Sequence, residues 1–124
     1  MSDLIERIKE SGLKAIAETR ATIENIERGD EKIHFVSAFL ADMPKGYNGR
    51  KRLAKELKER GYEEAAKHYA SGAELCKKCS LEFAGLKEED IERTGKEKLR
   101  KILVKVMREI ADSDEKAINT ILNK

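Results

Sequence analysis

Two cysteines separated by two residues, Cys76-Lys77-Lys78-Cys79, make up the one motif in this chain whose spacing carries a named chemistry. Such a pair can supply half of a tetrahedral zinc site or cycle as a redox dithiol. Zinc needs two further ligands, and the only histidines are His34 and His68. Along a shared helix, the step from His68 to Cys76 is about 12 Å of rise, too far for one ion. A redox pair belongs where a helix starts after a strand, and no strand pattern precedes this one. Both cysteines instead fall on the helical stripe Tyr69, Ala73, Cys76, Ser80, Phe83, where cysteine packs as a small hydrophobe. The expectation is a buried, reduced pair, with no metal and no cofactor.

The histidines carry little on their own. His68 lies one helical turn after Glu64, the usual spacing of a surface pair. A di-metal bundle needs Glu-x-x-His on two helices plus two more glutamates, and the chain does not carry that motif twice. No serine or cysteine is tied by spacing to a histidine and a carboxylate, so no nucleophile relay is assigned.

Cations are the other residues that suggest a site. In Lys45-Gly46-Tyr47-Asn48-Gly49-Arg50-Lys51-Arg52, glycines free the backbone and three consecutive cations follow. With Pro44 ahead of it, the segment predicts a loop and then a helix beginning near residue 49. Unpaired amides at a helix start favour anions, so cations there gain nothing from the helix dipole. That placement marks Lys45, Tyr47, Arg50, Lys51 and Arg52 as candidate anion-binding residues, with Tyr47 available to stack on a base. It is not a P-loop, because the preceding strand and the Gly-Lys-Ser/Thr ending are missing. A second run places Lys98, Lys101, Lys105 and Arg108 on one helix face, able to meet successive phosphates without reading bases.

The elements that must position these residues follow from composition and periodicity. The chain has 124 residues, 40% of them charged, with one proline and no tryptophan. That favours a single all-α domain spanning 1–124 and disfavours a β-sandwich. Abundant Lys and Glu also resemble a thermophile's composition. The net charge of +2 is uneven: segments 45–60 and 96–108 are basic, and the first 31 residues are acidic. No apolar run approaches the ~20 residues of a membrane span, and no signal-peptide core follows the N-terminus. Both point to a cytoplasmic protein away from membranes.

Apolar residues at three- and four-residue steps predict helices over about 3–28, 31–43, 49–60, 62–84, 86–93, 95–111 and 113–122. Ser2 or Asp3, Asp30 and Ser113 are read as N-caps. Thr94-Gly95-Lys96-Glu97 reads as a capping box. Pro44 is read as the stop of the second helix. The expected fold is a compact bundle of about five to seven helices. Two long antiparallel helices, the first and the one over 62–84, form its core, and the small residues of the latter pack near Gly12, Ala15 and Thr19.

Gly61-Tyr62-Glu63-Glu64-Ala65 with Tyr69 and Ala73 resembles the second helix of a tetratricopeptide repeat, but it occurs once, whereas a solenoid stacks about three copies. It implies no family. The expected function is a non-enzymatic helical binding module, adaptor or oligomer subunit that makes protein–protein contacts or self-associates. The alternative is electrostatic binding of nucleic-acid backbone through segments 45–60 and 96–108. A metal or thiol protein using Cys76 and Cys79 is the second alternative.

Overall fold

A computed structural model describes residues 3–30 and 32–124, and within them all regular structure is helical. The order is α1 (Asp3–Arg28), α2 (Phe35–Ser37), a π-helical segment (Ala38–Asp42), α3 (Met43–Glu59), α4 (Glu63–Glu82), α5 (Glu88–Thr94) and α6 (Lys96–Leu122). Ser2, read as an alternative cap, lies outside the described residues.

α1 buries a narrow stripe, Ile5, Gly12, Ile16, Ile23 and Ile26, which sits at helical spacing on one face. It packs along α6, and the contacts run in opposite chain order. Gly12 faces Ile118, Arg20 donates to Asp112 at 2.9 Å, and Arg108 grips Glu27 at 2.8 and 2.9 Å. α4 packs on α3 and α6. The expected seam between the small-residue face of α4 and α1 is therefore replaced: Gly72 meets Arg50 and Asp114, on α3 and α6, while Ala15 is exposed.

Pro44 does not end a helix. Phe35 to Glu59 is one rod with a widened turn near its start, and the residues flanking that turn, Ser37 and Met43, stay in right-handed helical geometry. The Met43 amide reaches back to the carbonyl of Ala38, a five-residue step that opens the helix immediately before the proline. A proline inside a regular helix removes a donor and crowds the carbonyl four residues earlier. A wide turn at that point relieves the crowding. It also explains the apolar pattern, since Phe35, Phe39 and Met43 are all buried at consecutive four-residue steps, a spacing that drifts around a regular α-helix.

The expected loop over 44–49 is thus helical, and residues 50–52 lie in mid-helix. α6 likewise runs through Ser113 without a break, so Ser113 caps nothing. The expected Thr94 capping box is absent as well: Thr94 closes α5, and Gly95, at φ 97°, precedes α6 with no side-chain cap. The cap of α5 comes from Asp90, whose carboxylate accepts from the Lys87 amide at 2.9 Å. Asp30 is not a cap either. It pairs with Arg28 at 3.0 Å, and the next helix starts after His34.

The main core joins Phe35, Phe39, Met43, Cys76, Cys79, Ile91, Leu99, Leu103 and Ile110. Phe39 and Phe83 stack with centroids 4.1 Å apart. A second cluster, around Leu57, Ala65, Tyr69, Ala117 and Ile121, closes the other end.

Candidate functional site

α3 and α4 form a hairpin whose facing residues run in reverse order: Gly46 lies against Cys76, and Arg50 against Gly72. Their outer surface leaves a groove of about 890 Å³ lined by Lys51, Arg52, Lys55, Lys58 and Lys67, with Ala54, Ala66 and Ala70 at its floor and Glu63 as its one carboxylate. The cations of α3 share this wall because residues 51, 55 and 58 follow helical spacing. Alanines keep the floor low, so a partner can approach the two backbones closely. Lys67 also reaches Glu64 at 3.3 Å. The others have no carboxylate partner among the described residues.

The expected anion site therefore divides. Lys51 and Arg52 face the groove, and Lys45 is exposed. Tyr47 is half-buried against the core, with the ammonium groups of Lys51 and Lys77 each 5.8 Å from its ring centroid. Arg50 turns inward. Its Nε and Nη2 donate to the two Asp114 oxygens at 3.0 and 2.6 Å, and Nη1 donates to the Gly46 carbonyl at 3.2 Å. Burial works against the Arg50 charge, but the hydrogen bonds and field of Asp114 outweigh it and hold the guanidinium above its ordinary pKa. The free amides of a helix start, which motivated this site, are not available, because residues 49–52 sit inside α3.

The second run lines a separate groove between α1 and α6, with Arg100, Lys101, Lys105 and Arg108 beside Glu27, Glu97 and Glu109. It shares no residue with the α3/α4 groove. Arg108 is held by Glu27 and Arg100 by Glu97, while Lys98 is exposed outside this groove.

Cys76 and Cys79 are free and 2% exposed. Burial pushes the Cys79 thiol up to about 11, helped by Glu82 and Cys76. Cys76 is also raised by burial, against the opposing pull of Arg50. Buried thiols held protonated are poor nucleophiles. Among the described residues no group of three His, Cys, Asp or Glu side chains is placed to hold a metal, and no helix is long and apolar enough to cross a membrane.

No protein-family pattern, curated protein or solved structure matches the chain.

The site must therefore be read from its own geometry. Lys55 and Lys58 were not singled out in the sequence, although their spacing from Lys51 was visible there. Lys67 and the alanine floor come from the far side of a hairpin, and no local signal marks them.

Proposed function

We propose that this chain is a non-enzymatic helical binding module of the cytoplasm, and that the α3/α4 groove receives an acidic amphipathic helix from a partner protein. The observation that carries this reading is the combination of five cations with an alanine floor. An amphipathic helix offers an apolar face to such a floor and carboxylates to the walls, the helix-in-groove mode of recognition. A nucleic-acid backbone supplies phosphates for the lysines but nothing for the alanines. Tyr47 already has two lysine ammonium groups near its ring, and Arg50 and Arg108 are committed to carboxylates, so the nucleic-acid reading loses three of its residues.

The test is a fluorescence-anisotropy titration with a labelled peptide of about five helical turns, Leu on one face and Glu on the other. Binding should weaken with salt, because the wall charges are exposed and screened. It should also weaken when the leucines become serines, and be lost in Lys55→Glu/Lys58→Glu. A single-stranded RNA that binds more tightly than the peptide and is lost in the same variant would hand the groove to nucleic acid. No binding by either probe at about 100 μM protein, already weak on the affinity scale, removes the groove as a docking site.

A further inference from the structure

A second concavity, unrelated to the cationic groove, opens between α1 and the π-helical segment, floored by α6. It measures about 270 Å³, and its walls carry Ile26, Ile33, Met43, Leu103, Met107 and Ile110. At one end lies the Arg50–Asp114 pair, already mutually satisfied. Two further polar groups line it from opposite walls, Thr19 on α1 and Asp42 on the π segment, and both are exposed.

Neither has a hydrogen-bond or ion-pair partner among the described residues. The contrast within α1 is informative. Ser11 and Thr22 both return their hydroxyls to the carbonyl four residues back, at 2.8 and 3.1 Å, while Thr19 does not. Two carboxylates and one guanidinium leave the lining with one net negative charge, and the uncompensated carboxylate is Asp42. The chemistry is that of a small ligand pocket, an apolar body with few convergent polar groups. Two methionines let the walls adapt to shape. The widened turn that carries Asp42 belongs to a class of helix irregularity often found at functional sites.

We propose that this cleft binds a small amphiphilic cation, an ammonium head on an apolar body. The ammonium donates to the Asp42 carboxylate and the Thr19 hydroxyl. The body lies over Met43, Met107 and Ile110. The volume admits a body of roughly eight or nine non-hydrogen atoms at the ~30 Å³ a water occupies. A carboxylate ligand finds no free cation here, because Arg50 already donates to Asp114 and to the Gly46 carbonyl, and it would meet the like charge of Asp42.

The experiment uses the intact protein with hexylammonium, hexanol and hexanoate as probes, read by methyl NMR of Met43 and Met107 up to about 10 mM, the range expected for ligands this small. Hexylammonium should shift both methyls and bind about tenfold more tightly than hexanol, a difference of about 1.4 kcal/mol. Asp42→Asn, on an exposed position that leaves the fold intact, should erase that advantage without changing hexanol. Hexanoate binding as tightly as hexylammonium overturns the proposal. So does an ammonium advantage that survives Asp42→Asn, or the absence of any shift with all three probes.

Discussion

Arg50 shows how far a residue's role can depart from its local context. In the sequence it is the first of three cations after a glycine. In the fold it reaches across to Asp114, sixty-four positions away, and the side chains are 24% and 14% exposed. That exposure places the pair between a surface bridge, worth about 0–1 kcal/mol, and a buried one, whose breakage costs about 3–5 kcal/mol. Arg50→Ala should destabilise the protein by about 2 kcal/mol, measured by urea unfolding. Arg50→Met with Asp114→Leu should recover part of the loss, because no unpaired charge remains. A double-mutant coupling near zero would show that the two residues act separately. Tyr69 and the cysteines feel the same interior. Burial, reinforced by Asp114 and opposed by Arg50, pushes Tyr69 up to about 12, and Cys79 stands at about 11. A raised acid pKa means that the folded state holds its proton longer than the unfolded chain. The stability from these groups is complete below the unfolded values of 9.0 for the thiol and 10.0 for the phenol, and is lost as pH rises toward the folded ones. Thermal melts should therefore fall between pH 9 and 12, and Cys76→Ala/Cys79→Ala should flatten the lower part of that decline.

Within one helix, two glycines make opposite predictions. A Cβ on Gly46 would sit 3.0 Å from the Cys76 sulfur and 3.1 Å from Arg50 Nη1, whereas one on Gly49 would meet nothing within 4 Å. Gly49→Ala should stabilise the protein by about 0.5–1 kcal/mol, the usual helix-interior gain. Gly46→Ala should lose that gain to crowding against α4. Paired melts of the two variants check both, and a Gly49→Ala that destabilises would mean that residue 49 is not helical. The same stretch explains what the sequence made legible. The ends of α1, α3 and α4 could be read from apolar periodicity closed by Gly29, Gly61 and Gly85, because those signals are local. Proline and two glycines also look like a loop locally. Here the widened turn absorbs the proline and the close crossing on Cys76 uses Gly46, both consequences of tertiary contact. Asp112-Ser113-Asp114 misled for the same reason. It looks like a helix cap, but its carboxylates are spent on Arg20 and Arg50. At the candidate site, the cations of α3 were readable, while the alanine floor required knowing which helices pair.

At the scale of the molecule, charge is distributed by helix rather than by domain. The cationic wall of α3 shares no residue with the mixed α1/α6 groove, so a polyanion on one surface should not compete with one on the other. A Lys101→Glu/Lys105→Glu variant should bind the acidic peptide as the unaltered protein does, within about twofold, in the same anisotropy titration. The packing of α1 has a separate consequence for how the structure comes apart. α3 and α4 are joined by a short turn and close on each other locally. α1 meets α6 across spans of 81 and 92 positions, and its principal packing is against that helix. Closing a longer loop costs more chain entropy, and an element held on one side has fewer interactions to lose when it lifts away. The protein should then open in stages, with α1 detaching while the other long helices stay assembled, as a cooperative unit of lower stability. Native-state hydrogen exchange reads this directly. The interior amides of α1 should share an opening free energy below that of α4 and the second half of α6, with a steeper denaturant dependence than local fraying gives. A single common value for all four long rods would show instead that the bundle unfolds in one step.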